Sequence, residues 1–428
     1  MTRLYIILSW QLLVIIGVVV LLGLAPRPFP TGLVHWDAEW YDSIRSYGYY
    51  FRPAAKSSVA FFPLFPLLWR ASHLGAIGVS LLNLGIAAGS VYLLYKGLQL
   101  RPVTVLLFAA FPSSMFLYLP YTEALYFFFS SLLLVLLVRW PHRLGALAVV
   151  MFGAALTRVS AFFFLPALTV VEGLGWLRAP QTWLPRLRRL VVYGLATGGG
   201  LAAVMLYQWW ETGVWFAFNK AEEQWNHHLQ WPRLPFISTQ ENDGALWIDG
   251  LALLVGLLAL GWVARTTWRV LRHRAPVPDS LLVLAAAYVA AATAQALLEA
   301  PIEVGHSSLM SLHRYVFCTP FFIVLLDRLV PRQALPLRPM LLALALVLGT
   351  TALLGMLGSK QFNIEWPTSR LPLLWGPVAG SAYAAAVLLY ALLWLQSGTR
   401  LGRALVFMSS FALQLFFCYT YAVGHWVG

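Results

Sequence analysis

Apolar residues run through this chain in long blocks separated by short polar stretches. The blocks fall near 4–24, 79–95, 102–119, 122–138, 144–171, 190–209, 246–264, 280–298, 314–327, 339–357, 373–395 and 405–424. A helix crossing the hydrocarbon core of a bilayer takes about 20 such residues. The pattern therefore predicts an all-α polytopic membrane protein, one integral-membrane domain over 1–428. The first block, Leu4–Leu24, follows a single arginine and precedes no small-residue cleavage pattern. It reads as a retained first span, too long for a secretory apolar core.

One block does not fit a single helix. Residues 144–171 are interrupted by Thr157 and Arg158. Read as one span, they would place the next loop, with Arg178, Arg186, Arg188 and Arg189, outside, against the retention of Lys and Arg in cytoplasmic loops. Two shorter helices with Arg158 at the outer turn remove the conflict. The cytoplasmic side then holds 18 of the 29 Lys+Arg but only three of the 16 Asp+Glu. The expectation is 12–13 segments, a cytoplasmic N-terminus, an outer C-terminus, and acids gathered on the extracytoplasmic face.

Composition adds little room for anything else. The chain is 60% hydrophobic and 11% charged, with mean hydropathy +0.74. No stretch is long enough for a separate soluble domain. The formal charge of +13 reads as loop arginines, not as a nucleic-acid surface. Cys318 and Cys418 both lie in apolar blocks, without metal spacing or a disulfide framework. The glycines at 198–200 lie inside a span with no P-loop lysine, which points to close helix packing.

Against this apolar background, residues 35–51 read HWDAEWYDSIRSYGYYF. Asp37, Glu39 and Asp42 stand among aromatics in a long first outer loop, 25–78. On a helical wheel Trp36, Trp40, Ile44 and Tyr47 share one face, as in a helix lying on a membrane surface. Glu39, Asp42, Ser43 and Ser46 share the opposite face. Asp37 projects on the apolar side beside Tyr41 and Ile44. It is either the N-cap of this helix or a carboxylate in a partly desolvated pocket, where burial makes a better base; both can hold together. Downstream, AFFPLFPLLWR at 60–70 carries two prolines three apart and reads as a bent, interface-lying segment.

Other polar residues lie at membrane depth. Glu123 is a first-turn acid stabilised by the helix dipole or part of a site. An intramembrane Arg158 calls for a partner or an anion. Arg314, in His313-Arg314-Tyr315, either snorkels to the interface or binds an anion. His306 and His313, near Glu299 and Glu303, match no tight metal spacing and read as solvated loop histidines. A second large outer loop, 210–245, carries Trp209, Trp210, Trp215, Trp225 and Trp231 with Lys220, Glu222, Glu223, His227 and His228. These tryptophans are aromatic-belt anchors or a shelf shaping a carbohydrate or lipid pocket. Together the outer face offers what a lipid-linked sugar phosphate needs: apolar surface for the tail, arginine for the phosphate and a base for the acceptor hydroxyl.

The stretch H-W-D-A-E-W-Y, followed by F-F-P-L-F-P at 61–66, resembles the PIG-V family, the GPI mannosyltransferase 2 proteins and their prokaryotic relatives. FPSSMFLYLPYTEALYFFFS at 111–130, A-L-T-R at 155–158, F-N-K-A-E-E-Q-W at 218–225 and H-R-Y at 313–315 are similar to later patterns of that family. The resemblance implies a GT-C fold and a mannosyltransferase using a polyprenyl-phosphate sugar, with no cytoplasmic nucleotide-sugar domain. It implies Asp37 as base and Glu39 as the second acid of a D-x-E pattern. Arg158 and Arg314 would hold the donor phosphate. His35, Trp36, Trp40, Tyr41, Glu123, His313 and Tyr315 are the expected substrate contacts. No cofactor or metal is required, although D-x-E leaves a divalent ion open. The acceptor is open among lipid, glycan and protein; the other partners are membrane lipids, and no nucleic acid is expected. A transporter or flippase is the main alternative; it would more often show paired halves with interrupted helices, and none is visible. A noncatalytic assembly subunit with the same fold is another.

Overall fold

The computed structural model describes residues 8–18, 32–225, 228–236, 243–329 and 389–427, apart from single positions at 10, 235, 304, 310, 391, 395 and 423, together with 342 and 345. The expected span 339–357, most of 373–395 and the ends of 4–24 lie outside the described residues.

Among the described residues the protein is all-α apart from a two-stranded hairpin. The helices are α1 (Asp37–Tyr47), α2 (Leu64–Ser72), α3 (Ala76–Gly97), α4 (Pro102–Ala109), α5 (Glu123–Arg139), α6 (Leu144–Ala155), α7 (Phe164–Arg178), α8 (Trp183–Thr212), α9 (Ala217–Gln224), α10 (Asp243–His273), α11 (Ser280–Leu298), α12 (Leu312–Phe317), α13 (Pro320–Leu329) and α14 (Arg400–Ala422). The hairpin pairs β1 (Ile302–Glu303) with β2 (His306–Ser307), Ile302 opposite Ser307. Six segments among the described residues are long and apolar enough to cross a membrane: Ala76–Gly97, Val159–Arg178, Pro180–Thr212, Ile248–His273, Ser280–Leu298 and Arg400–Ala422. The protein is a multi-pass integral membrane protein.

Proline explains where the structure divides blocks that look continuous. The block 102–119 ends its α-helix at Ala109, and Pro112 opens a 3₁₀ turn, Pro112–Leu117. The block 314–327 divides at Pro320, between α12 and α13. A mid-helix proline has no N–H for the ladder and clashes with the preceding turn. In α2 the prolines sit where they cost little: Pro63 is the N-cap and Pro66 lies in the first turn. The 60–70 segment thus begins at the end of a 3₁₀ turn, Ser58–Ala60, and passes through residues 61–63 into the regular helix α2.

The block 144–171 is two helices. After α6, Arg158 is extended (φ −157°, ψ 148°), and a 3₁₀ turn, Val159–Phe163, leads into α7. Phe164 packs on Tyr288 of α11, and Leu174 on Val283 of α11 and Val270 of α10. On the other side Gly153 of α6 abuts the Phe129 ring of α5. α6 and α7 are therefore two separate helices joined through Arg158, α6 packing on α5 and α7 on α10 and α11.

Contacts between helix ends sort the charges. At one end of the bundle Arg139 Nε donates to Gly97 O at 2.8 Å, and Arg101 Nε pairs with Asp327 Oδ1 at 3.2 Å. Arg328 Nε lies 3.2 Å from Asp279 Oδ2. Arg186 and Arg189 bind the two oxygens of Glu172 at 2.8 and 3.2 Å. So Glu172, Asp279 and Asp327, the acids grouped with the arginine-rich loops, are each neutralised by arginine. The opposite end carries α1, α2, α9, the β-hairpin and residues 424–427.

Helix packing is tight at selected glycines. A Cβ on Gly200 of α8 would lie 2.8 Å from the Phe152 carbonyl oxygen and 2.6 Å from the Ala155 Cβ of α6. Neighbouring Gly199 would make ordinary contacts at 3.8 Å, and Gly198 would meet nothing within 4 Å. Of the three, Gly200 is the one that permits close approach.

Candidate functional site

Two helices with unusual starts aim their side chains at one point. α1 begins after Trp36, whose φ is 58°, and α12 begins after Ser311, whose φ is 64°. Positive φ is rare for a bulky residue and costs about 1–3 kcal/mol. The surroundings hold these backbones in place. The Trp36 ring meets Trp426 edge-on at 5.1 Å. The His35 carbonyl accepts from Tyr121 Oη at 3.1 Å and Tyr421 Oη at 3.2 Å. Asp249 Oδ1 accepts from the His313 backbone N–H at 2.8 Å. Trp36, not Asp37, is the N-cap of α1, and no side chain caps it. Asp37 is the first helical residue.

Asp37 and Arg314 thereby meet, with Asp37 Oδ2 2.8 Å from Arg314 Nη1. Arg314 also grips Glu123, Nε to Oε1 at 2.7 Å and Nη2 to Oε1 at 2.6 Å. Arg158 pairs with the same Oε1 from the α6–α7 turn. The other Glu123 oxygen, Oε2, is buried without a hydrogen-bond partner. Glu123 starts α5, where the first-turn amides also favour a carboxylate. The turn before it is pinned by Asn83, which donates to Leu119 O at 2.6 Å and Tyr121 O at 3.0 Å. The Arg158 turn is fixed by Tyr126 Oη, 3.0 Å from Ser160 O.

The four charges balance. Glu123 and Arg314 are nearly inaccessible, Arg158 is slightly more open, and Asp37 is the most exposed, its side chain 22% accessible. Burying charges is costly unless each is matched, and here two carboxylates match two guanidiniums. Aromatic faces complete the surroundings. The Arg314 guanidinium lies 4.8 Å from the Tyr121 ring centre and 4.9 Å from Phe116, and Arg158 lies 5.0 Å from Tyr315.

The tetrad borders a cavity of about 420 Å³ at this end of the bundle. Asp37, Tyr41, Arg158, Arg314 and Tyr315 line it. Glu123 stands behind the two arginines. Trp40 braces the wall from outside, stacked on Phe61 at 5.5 Å and meeting Trp225 at 5.8 Å. Glu39 is exposed on the other side of α1 and does not line the cavity. Glu39 therefore does not face the space that Asp37 faces. His313 is fully buried, its ring nitrogens 2.9 Å from Ser113 Oγ and 3.0 Å from Val427 O, a structural position away from the cavity. His35 and Trp36 likewise hold the α1 start instead of lining the cavity.

The cavity has further walls. Phe218 and Glu222 of α9 and Trp225 just after it belong to the aromatic outer loop that the sequence offered as a candidate carbohydrate or lipid shelf; Gln295 and Glu299 come from the end of α11, and Ser308 from just after the hairpin. Burial, and then the neighbouring Glu299 charge, push the Glu222 carboxyl up to about 7. The 218–225 pattern was the available signal for α9; nothing local marks Gln295 or Ser308. Comparisons with protein-family models, curated proteins and solved structures return no match to this chain.

Proposed function

We propose that this protein is a membrane glycosyltransferase that moves a sugar, mannose by its resemblance to PIG-V proteins, from a polyprenyl-phosphate donor to an acceptor hydroxyl. The observation that carries this reading is the Asp37–Arg314 pair on a cavity wall, with Arg314 and Arg158 anchored from behind by Glu123. A phosphodiester suits two oriented guanidiniums, which bind oxyanions through charge-assisted, often bidentate bonds. The aromatic walls suit a sugar ring. The wider GT-C architecture belongs to the same proposal. So does the extracytoplasmic placement of the site, which follows from the arginine-rich opposite end by the positive-inside tendency.

The pair gives a way to couple donor binding to base activation. Without donor, Arg314 is shared between Asp37 and Glu123. A donor phosphate that takes up Arg314 Nη1 releases Asp37 from its ion pair. The acceptor oxygen then attacks the anomeric carbon, its proton passes to Asp37, and the bond from that carbon to the phosphate oxygen breaks. The bonding electrons leave with the phosphate, so the leaving group gains the negative charge that Asp37 loses. Arg158 and Arg314 stand where that charge develops, which is where fixed cations lower the barrier most. One displacement inverts the anomeric centre.

The test is transfer of radiolabel from polyprenyl-phosphate-mannose to lipid extract or water by purified protein, with Asp37→Asn alongside. A labelled product that disappears in the variant supports the reading. Donor that is never bound by the wild-type protein overturns it.

A further inference from the structure

The segment after α14 leaves that helix through a glycine turn. Gly424 has φ 84°. Its N–H donates to Tyr421 O at 3.0 Å, and the His425 N–H donates to Thr420 O at 3.1 Å. A left-handed glycine with these two bonds is a Schellman helix end, which satisfies the last carbonyls. Beyond the turn Trp426 lines the cavity, and Trp426 and Val427 are 8% and 1% exposed.

These two residues meet different helices. The Trp426 ring lies edge-on to Trp36 at 5.1 Å. Trp36 immediately precedes Asp37, and its φ of 58° persists only where the surroundings impose it. Tyr421 of α14 supports the same stretch: its Oη lies 3.0 Å from Leu33 O and accepts from the His35 N–H at 3.3 Å. The Val427 carbonyl lies 3.0 Å from His313 Nε2. A carbonyl only accepts, so Nε2 carries the proton and donates it. His313 immediately precedes Arg314. Consecutive residues of one segment therefore hold the residue before Asp37 and the residue before Arg314.

We propose that residues 424–427 are a clamp that aligns the Asp37–Arg314 pair, with Trp426 and His313 as positioning residues. Each helix start is fixed to the other through this segment, so releasing one contact loosens both. Glu123 still grips the Arg314 side chain, so anion binding survives while Asp37 loses its alignment. The effect on sugar transfer rests on the glycosyltransferase reading; the clamp itself does not.

Hydrogen–deuterium exchange on the purified full chain in detergent reads the clamp directly. The reporter amides are Ala38 and Glu39, which donate to His35 O at 3.1 Å and Trp36 O at 3.0 Å, and Arg314, which donates to Ser311 O at 2.9 Å. Trp426→Ala and His313→Leu should each raise exchange roughly fivefold at both helix starts, the loss of one aromatic contact or one hydrogen bond. The double variant should exchange no faster than the faster single one, because both changes open one device. In transfer assays with polyprenyl-phosphate-mannose, kcat should fall roughly tenfold or more in each variant. Affinity for polyprenyl phosphate should stay within about threefold of wild type. Trp426→Phe and His313→Gln keep a ring and an N–H donor and should restore most of the loss. Trp426→Leu keeps apolar bulk and serves where Trp426→Ala fails to fold. The clamp is overturned if each variant loosens only the helix start it touches, or if the two changes add. An unchanged kcat in a protein that binds donor overturns the positioning role. Wild-type protein that binds no donor overturns the transferase reading, and the exchange rates then decide the clamp without it.

Discussion

Asp37 and Arg314 form an ion pair in which the partners are unequally accessible: the Asp37 side chain is 22% exposed and that of Arg314 is 3%. Arg314 is held from behind by Glu123 at 2.6 and 2.7 Å. The carboxylate at the cavity surface is therefore the exchangeable member of the pair, and the guanidinium is the fixed one. A ligand anion competes with Asp37 for Arg314.

Neutralising Asp37 should thus separate binding from turnover. In Asp37→Asn, transfer should fall by roughly 100-fold or more, the usual contribution of a general base. Polyprenyl phosphate should bind at least as tightly as to the wild-type protein, because its competitor is gone. Equilibrium binding of labelled polyprenyl phosphate checks this. Weaker binding would mean that Asp37 helps hold the donor and is not displaced by it.

Glu123 should matter for stability before it matters for chemistry. Glu123→Ala leaves Arg158 and Arg314 buried without their shared partner. Breaking a buried ion pair from one side costs about 3–5 kcal/mol. The apparent melting temperature in a fixed detergent should fall well below that of Asp37→Asn, whose side chain is partly exposed. Equal melting temperatures for the two variants would show that water reaches both arginines.

The glycine run at 198–200 gives a positional test of packing. Gly200→Ala forces its Cβ against the Phe152 carbonyl, 2.8 Å away, and a backbone atom cannot move cheaply. Overpacking of this kind costs about 1–3 kcal/mol. Gly198→Ala meets nothing within 4 Å and should be neutral or slightly stabilising, because alanine is the better helix former. The comparison of unfolding temperatures is decisive in one direction: if Gly198→Ala is as damaging as Gly200→Ala, the α6–α8 approach is not what these glycines serve.

Much of the architecture was legible because hydrophobic length and arginine placement follow directly from the solvent. The break at Thr157 and Arg158 came from the charge pattern, and the structure places a turn there. The placement of Asp37 apart from Glu39 came from helical periodicity, and in the structure only Asp37 lines the cavity. The face expected to lie on a membrane surface is not uniform. Ile44 is 2% exposed and Tyr47 is 87% exposed, because α2 and α9 cover part of α1. What the sequence could not show is that Glu123, Arg158 and Arg314, up to 191 residues apart, share one carboxylate oxygen. Periodicity is local, and this contact is made by three separate helix ends. For the same reason His313 stood beside Arg314 as a substrate contact, although one residue along a helix turns its ring toward Ser113 and Val427.

Glu222 should make stability depend on pH in an unusual direction for an acid. Its carboxyl is pushed up to about 7, first by burial and then by Glu299, from an ordinary 4.5. Asp37, Arg158 and Arg314 also line its cavity, and Lys56 covers the Trp225 ring at 4.1 Å beside it. Between pH 4.5 and about 7 the folded protein holds a proton that the unfolded chain has lost. Raising the pH through that window withdraws the proton, and stability falls with it. Below the window Glu222 is neutral in both states, and above it the loss is complete. Glu222→Gln keeps the side chain neutral throughout. Its melting temperature should match that of the wild-type protein near pH 4.5 and exceed it at pH 8. Glu299→Gln removes the second cause and should narrow the window from above without closing it. A Glu222→Gln protein no more stable than wild type at pH 8 would mean that Glu222 is solvated and ionised at neutral pH, and the cavity wall would have to be redrawn without it.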